Sequence, residues 1–269
     1  MQKEESKLHI IDFHCHIYPE AVAQKAAQSI CEFYELEGGH MDGTVQTLLK
    51  QGNAAGIDRF VILPVGMRPD KVRHVNDFIL GEAKKQPRFI GFGTVHAAME
   101  DIGSEAEYIM ASGLHGVKMH PDFQKFDIDD ERLFPFYETV QGKIPVMYHM
   151  GDKRYDFSHP SKLRRVMELF PKLQTVAAHF GGYSMYETAY DILHDVDRCV
   201  FDVSSSLMFM PEGVAEKYIN AFGAERMVFG TDYPLWDPVT ETKRFFSLKL
   251  TEAQFEQIAH KTAEAFLKL

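Results

Sequence analysis

Cysteine is scarce in this chain, and its three cysteines lie far apart. Cys15, Cys31 and Cys199 form no Cys-x-x-Cys pair, and their odd number argues against a disulfide framework. A reducing compartment suits such a composition best. The charged N-terminal segment, residues 1–7, is not followed by an apolar stretch with a cleavage site, so we expect no secretory signal. These absences predict a cytoplasmic protein.

The chain also lacks a basic run and a long hydrophobic run. Its formal net charge is -10, with acidic and basic residues interspersed, so nucleic acid and anionic membrane surfaces are poor partners. No apolar segment approaches the length that a membrane-spanning helix needs. We therefore expect a small-molecule substrate as the partner. A homodimer is the default assembly, since twofold dimers are the commonest oligomers.

Two features that would indicate other architectures are missing as well. There is no linker rich in glycine, serine and proline, and no internal repeat, so we expect a single domain over residues 1–269. The glycine-rich turn that binds a dinucleotide after the first strand of an open doubly wound sheet is replaced by histidines. With 269 residues, 45% of them hydrophobic, the chain can bury a sizeable core.

What the chain does contain is a regular alternation of short apolar segments and amphipathic helical segments. We predict strands at residues 8–13, 59–63, 89–95, 116–119, 144–148, 174–178, 199–203 and 227–230. Helices are predicted at 20–34, 43–56, 70–86, 101–112, 129–141, 160–170, 184–194, 211–222 and 251–268. Eight such βα units in a chain of this length predict an α/β fold, a single (β/α)8 TIM barrel.

Titratable side chains follow several of the predicted strands directly. His14 and His16 come after the first strand, and because side chains alternate along a strand, their rings can share one metal ion. This short motif alone is explained equally well by two hydrogen-bonded histidines. Further candidates at later strand ends are Lys118, His120, His149, His179 and Asp232. The carboxyl ends of barrel strands converge on one mouth, so we expect these side chains to meet there.

Five ordered motifs resemble those of the amidohydrolase superfamily, and most closely those of its amidohydrolase-2 branch. They are Ile11-Asp12-Phe13-His14-Cys15-His16, Gly116-Val117-Lys118-Met119-His120-Pro121, Pro145-Val146-Met147-Tyr148-His149, Ala178-His179-Phe180-Gly181-Gly182 and Phe229-Gly230-Thr231-Asp232-Tyr233-Pro234. The branch includes metal-dependent TIM-barrel hydrolases and enzymes similar to aminocarboxymuconate-semialdehyde decarboxylase. The resemblance extends over nearly the whole chain but identifies no substrate.

The resemblance implies a divalent metal, most often one zinc ion, held by His14, His16, His149 and Asp232. Three imidazoles and a carboxylate suit zinc, and less decisively manganese, iron or cobalt. The expected catalytic residues are Asp232, which accepts and returns a proton, and His179, which orients a water molecule or stabilises the developing negative charge.

Three residues are expected to bind the substrate, and each has an alternative role. Lys118 can meet a substrate anion, but in other branches of the superfamily a carboxylated lysine here bridges two metals, and an ion-paired structural lysine is a further alternative. His120 can contact the substrate or cap the turn at Pro121. Arg154, in a polar loop, can bind a substrate carboxylate or remain solvated.

Three functions follow from this assignment. The first is metal-dependent hydrolysis of an amide, ester or lactone of a small carboxylate-bearing substrate, which the compact length favours because decarboxylases of the branch tend to be longer. The second is non-oxidative decarboxylation of a small unsaturated or aromatic acid by the same residues. The third is a barrel without catalysis that acts as a binding module. The complete histidine and aspartate set argues against the third, since unused buried ligands carry a desolvation penalty.

Overall fold

The computed structural model describes residues 8–36 and 40–269, and within these ranges it contains nine short strands. They are β1 (Ile11–Cys15), β2 (Arg59–Ile62), β3 (Phe89–Gly91), β4 (Gly93–Thr94), β5 (Val117–Met119), β6 (Val146–Tyr148), β7 (Thr175–Ala177), β8 (Cys199–Asp202) and β9 (Met227–Val228). Strands β3 and β4 are two parts of the strand predicted at 89–95. Nearly all strand residues are buried, as expected for a parallel sheet that is covered on both faces.

The same described ranges contain twelve α-helices. They are α1 (Glu20–Phe33), α2 (Val45–Ala55), α3 (Val72–Lys85), α4 (Ile102–Ser112), α5 (Pro121–Gln124), α6 (Phe134–Val140), α7 (Pro160–Leu169), α8 (Tyr186–Leu193), α9 (Val214–Phe222), α10 (Pro238–Phe246), α11 (Glu252–Glu256) and α12 (Thr262–Leu267). A π-helical turn, Gln257–Lys261, joins α11 to α12. No helix in the described part of the chain has both the length and the apolar character to cross a membrane.

The strands pair in parallel and in chain order, β1-β2-β3 and then β4 through β9. The last strand is connected to the first by backbone hydrogen bonds. Phe13 N donates to Phe229 O over 2.8 Å, Asp232 N to His14 O over 2.8 Å and His16 N to Tyr233 O over 2.7 Å. These bonds join the two ends of the sheet, as a closed barrel requires. The predicted α/β barrel fold is therefore confirmed.

Asp12 strengthens this connection through its buried side chain. Its Oδ2 accepts a hydrogen bond from Thr231 Oγ1 (2.6 Å), and its Oδ1 accepts from the backbone N–H groups of Thr231 (2.9 Å) and His14 (3.1 Å). Burial raises the pKa of Asp12, although these hydrogen bonds oppose the shift. Because one carboxylate holds both segments, His14 and Asp232 are fixed relative to each other.

The apolar core has two parts. Alternate strand residues such as Phe13, Val61, Phe92 and Met147 fill the barrel interior. Their strand neighbours, including Phe60, point outward and pack with the helices in a larger cluster. The two layers hold the strands rigidly, so the side chains at the strand ends have fixed positions.

The helix prediction omitted α5 and α10. Both begin with a proline after a residue that caps the helix with its side chain. Asp237 accepts hydrogen bonds from Val239 N (3.4 Å) and Thr240 N (3.1 Å) in front of α10. The Asp-Pro sequence is a recognisable helix start, so the signal was present.

Candidate metal centre

Polar side chains from most of the strand ends meet in one small cavity at the carboxyl end of the barrel. Every predicted site residue except Arg154 lines it: His14, His16, Lys118, His120, His149, His179 and Asp232. The rest of its wall includes Tyr18, Ile30, Tyr34, Val65, Phe123 and Leu235. All seven titratable residues are buried. The cavity therefore combines a polar floor with a mainly apolar and aromatic wall.

An irregularity in β1 brings both histidines of the first motif into this cavity. Phe13 packs inside the barrel, so strict alternation would turn His14 toward the surrounding helices. The pairing of β1 with β2 shifts register between Asp12 and Cys15. Such a bulge redirects the side chains that follow it. The shared side of His14 and His16 thus depends on the bulge as well as on their spacing.

His14, His16 and Asp232 form a compact set of donors. The Nε2 atoms of the two histidines are 3.1 Å apart, and Asp232 Oδ1 lies 3.3 Å from the first and 3.8 Å from the second. All three donor atoms lie within 4.8 Å of one another, as ligands of a single metal ion do. Two imidazoles and a carboxylate suit a divalent first-row metal. The residues present therefore fit the ion that the sequence implied.

The opposite ring nitrogens of both histidines are already engaged. His14 Nδ1 donates to Asp202 Oδ2 (2.8 Å), and His16 Nδ1 donates to the Leu63 carbonyl (2.8 Å). Such partners fix the tautomer and leave Nε2 with a free lone pair. Burial, with the nearby charges of His14 and Lys118, lowers the pKa of His16 to about 3, so this ring is neutral at pH 7. A neutral imidazole is the form that binds metal.

Asp202 was missed by the sequence analysis. It ends β8, where a carboxylate after an apolar strand was a signal of the same kind as Asp232. The interactions of its carboxylate with His14 and His179, together with the Ser204 hydroxyl, hold its pKa below the usual range despite complete burial. Asp202 therefore supplies the negative charge that orients His14.

Asp232 is held in an unusual backbone conformation. Its φ is 60°, in the left-handed region that residues other than glycine rarely adopt, and His179 has the same φ of 60°. Asp232 Oδ2 accepts a hydrogen bond from the Ser205 hydroxyl. Burial alone would raise the pKa of Asp232, but His14, His179 and His16 outweigh it and lower that pKa. Strain of this kind is concentrated at functional sites, which supports the choice of these two residues.

His149 and His179 form a second pair of rings beside this set. His149 Nδ1 and His179 Nε2 are 3.1 Å apart, and the ring of His179 stacks on His14 with centroids 5.2 Å apart. His179 Nδ1 faces the Ser204 carbonyl at 3.1 Å. The structure thus brings three of the four predicted ligands together and places His149 in the same cavity beside His179. The role of His149 as fourth ligand stays a prediction.

Tyr34 and His120 lie at the edge of the cavity. The Tyr34 hydroxyl is 2.9 Å from His120 Nε2 and 3.3 Å from His149 Nε2, and the two imidazoles stack with centroids 3.9 Å apart. His120 Nδ1 also accepts a hydrogen bond from Phe123 N (3.3 Å), so His120 caps the turn as well as lining the cavity. No sequence signal distinguished Tyr34, which looks like a packing residue at the end of a helix.

Lys118 is completely buried and faces the donor set. Its Nζ lies 3.2 Å from His14 Nε2. Burial lowers its pKa to about 8, although Asp202 and Asp232 favour the charged form. An amine at this position can bind a negatively charged oxygen of a substrate.

Arg154 has other partners. Its guanidinium donates to Asp152 Oδ2 over 2.7 Å and to the carbonyl of Phe33 over 2.8 Å. Phe33 is the last residue of α1, directly before Tyr34. In the described part of the chain Arg154 therefore holds the end of α1 and does not line the cavity. The contact of Arg154 with the substrate stays a prediction.

The chain matches a known protein family and is similar to several solved structures. The family model described as Amidohydrolase (Amidohydro_2) matches residues 11–269. An uncharacterized TIM-barrel protein from Bordetella bronchiseptica is 23% identical, with a TM-score of 0.82 over 97% of this chain and 99% of that one. A dihydroxybenzoic acid decarboxylase from Polaromonas sp. JS666, with bound manganese and the inhibitor 2-nitroresorcinol, is 17% identical, with a TM-score of 0.74 over 97% of both chains.

A third similar structure is the 5-carboxyvanillate decarboxylase from Novosphingobium aromaticivorans DSM 12444, complexed with manganese and 4-hydroxy-3-methoxy-5-nitrobenzoic acid. It is 18% identical, with a TM-score of 0.73 over 98% of this chain and 97% of that one. At these identities the likeness of the three structures demonstrates a shared fold.

Proposed function

Because this chain belongs to the amidohydrolase family, we propose that it is a metal-dependent decarboxylase of a small unsaturated or aromatic acid. Two structures similar to it are decarboxylases with bound manganese. They favour the decarboxylase alternative over the hydrolase that compactness alone suggested. Hydrolysis of an amide, ester or lactone becomes the second candidate, and a substrate screen distinguishes it from decarboxylation.

The observation that carries this proposal is the two-sided character of the cavity. On one side lie the donors His14, His16 and Asp232 with the Lys118 amine, and on the other lies an apolar and aromatic wall that includes Phe123. A flat acid suits this lining, because its carboxylate meets the polar side and its carbon skeleton meets the wall.

We assign the metal to His14, His16 and Asp232, with His149 as the fourth ligand. Bound there, a divalent ion supplies positive charge that polarises and orients the oxygens of the acid. Manganese is our first choice because the two similar decarboxylases contain it. Zinc, which the donor types indicate, is the second.

The side chains have distinct tasks in the reaction. Lys118 binds a negatively charged oxygen of the substrate, and its burial strengthens that interaction. The bond between the skeleton and the carboxylate breaks, its electron pair stays on the carbon, and carbon dioxide leaves. The Asp232 carboxylate, which its lowered pKa keeps ionised, accepts a proton from solvent, passes it to that carbon and returns to its ionised form. His179 and Tyr34 restrict the orientation of the acid, and the aromatic wall keeps water away.

The test is a substrate screen with the manganese-loaded enzyme. The panel contains dihydroxybenzoates, 5-carboxyvanillate and unsaturated dicarboxylates, with lactones and amides as the competing class. We expect carbon dioxide release from an acid and, in D2O, one deuterium at the carbon that lost the carboxylate. Hydrolysis of a lactone or amide without carbon dioxide release would overturn the proposal in favour of the hydrolase.

The same assay tests the role of Asp232. We expect Asp232→Asn to abolish carbon dioxide release, because the amide cannot take up a proton and pass it on and is a weaker metal ligand than the carboxylate. Asp197→Asn, the same substitution at an exposed position, is the matched control and should behave as the wild type. Full activity in Asp232→Asn would exclude Asp232 as the proton donor.

A further inference from the structure

We propose that the substrate carries an apolar substituent, an alkyl group or second ring, which extends from the cavity into a neighbouring groove. This inference rests on the proposed function and narrows its substrate class. The groove, called the apolar groove below, runs between α1 and the segment that contains Val65 and Met67.

The apolar groove adjoins the catalytic cavity. Tyr18, Ile30, Val65 and Phe123 line both spaces. These four side chains form the apolar wall of the cavity on one side and the inner end of the groove on the other. A group attached to the acid, on the side away from Lys118, is therefore directed toward the groove.

Helix α1 supplies the groove with a second apolar face. Its buried residues, Ala23, Ala27 and Cys31, repeat every four residues and face the protein interior. Ala26, Ser29, Ile30 and Phe33 follow the spacing i, i+3, i+4, i+7 and line the groove. A helix that only covered the barrel would present charged or polar side chains on this second face. Apolar residues beside a catalytic opening indicate ligand contact.

The residues that line the groove offer no charged partner to a substituent of the substrate. None of the residues that line the groove has a formal charge at neutral pH. The Ser29 hydroxyl donates to the Lys25 carbonyl (2.9 Å) within the helix, so it is already satisfied. Burial raises the pKa of Tyr18 and keeps its phenol neutral. Met67, at the outer end, has 55% of its surface exposed, which is unusual for a large apolar side chain.

The experiment measures binding, so that it does not depend on turnover. Benzoate, 4-ethylbenzoate and 4-butylbenzoate are titrated into the manganese-loaded protein by calorimetry. Wild-type affinity should rise by about threefold for each methylene that enters the groove. In Ile30→Ser and Met67→Ser this gain should fall to less than half. Val22→Ser, at a position of α1 with 50% exposure and outside the groove, is the matched control and should keep the full gain.

The possible outcomes separate this inference from the proposed function. A wild-type protein without a chain-length gain, or a gain that persists in both groove variants, overturns the inference even if carbon dioxide is released from an acid. A gain that Met67→Ser removes supports the inference, even if the substrate screen gives no carbon dioxide. Met67 is largely exposed, so its variant remains informative if Ile30→Ser does not fold.

Discussion

Among the clusters of two histidines and one carboxylate in the described part of the barrel, two lie at opposite ends. At the carboxyl end lie His14, His16 and Asp232, all buried. At the amino end lie His9, before β1, with His260 and Glu264 of the last helical segments, all partly exposed. In each cluster the donor atoms lie within 4.8 Å of one another. Residue types and distances alone therefore do not distinguish the two.

The two clusters differ in which ring nitrogens carry protons and which present lone pairs. His9 Nδ1 lies 3.1 Å from Glu264 Oε1, and His260 Nδ1 lies 3.1 Å from Glu264 Oε2. An ionised carboxylate only accepts hydrogen bonds, so both of these nitrogens carry protons. At the carboxyl end Asp202 and the Leu63 carbonyl take the ring protons, and the Nε2 lone pairs face each other. We therefore expect a metal at the carboxyl end and a hydrogen-bonded cluster at the amino end.

The largest effect is expected from removing the histidines of each end in turn. His14→Ala with His16→Ala should lose the metal and all turnover, because two of the donors are gone. His9→Ala with His260→Ala, the matched control, should keep about one metal per chain and full activity. Elemental analysis of protein prepared without chelator or histidine tag measures this. Metal lost from the amino-end variant would contradict the assignment, and about two metals per wild-type chain would point to Lys118 as a carboxylated bridge.

A smaller effect is expected at Asp202, which contacts the proposed metal ligands only at His14. Asp202→Asn keeps the size of the side chain and removes the charge that orients the ring, so metal affinity should fall by about 10- to 100-fold. Titration of manganese against a chelator measures this affinity. Glu264→Gln makes the corresponding change at the amino end and should leave the affinity unaltered. Equal affinities in wild type and Asp202→Asn would show that the carboxylate does not support the site.

The sequence predicted which side chains line the cavity wherever their place depends on residue type and strand position. His14 and Lys118 lie near the carboxyl ends of β1 and β5, Asp232 follows β9, and a barrel brings all strand ends to one mouth. Asp202 has the same position and was overlooked among the strand residues. Tyr34 could not be found in this way, because its place in the cavity depends on how the end of α1 is held by Arg154.

The features of the fold that the sequence did not predict also depend on contacts between residues that are distant in the chain. Strand and helix positions follow from hydrophobic period, which sequence displays directly. The bulge in β1 depends on pairing with β2, and no local pattern announces it. The distinction between the two histidine clusters likewise depends on which atom each ring presents, and that is set by neighbours distant in the chain.

A still smaller effect separates the two predicted anion-binding residues. Lys118→Met should raise the KM for the acid by about tenfold or more, because a buried charge-assisted hydrogen bond is lost. Arg154→Met should change the KM by less than Lys118→Met does, since Arg154 acts on the cavity only by holding the end of α1 through the Phe33 carbonyl at a partly exposed site. Steady-state kinetics on the best acid measures both. The reverse order of effects would place the substrate carboxylate at Arg154.

The smallest effect is expected for stability at the amino end. Glu264→Gln should change the free energy of unfolding by less than about 1 kcal/mol at pH 7, because the cluster is partly exposed. Although burial opposes it, hydrogen bonds and charges from His260 and His9 lower the pKa of Glu264 below its ordinary 4.5. Its contribution is therefore present above pH 4.5 and is lost as the pH falls through the lower, folded-state pKa.

Added zinc makes this last variant decisive for the comparison between the two ends. A metal that binds only the folded protein raises the melting temperature, whichever end it occupies. With zinc at the carboxyl end alone, the shift in Glu264→Gln equals the wild-type shift, and the shift in His14→Ala with His16→Ala disappears. If Glu264→Gln loses part of the shift, the amino-end nitrogens have exchanged their protons for a metal. Ring orientation would then not decide which cluster binds a metal.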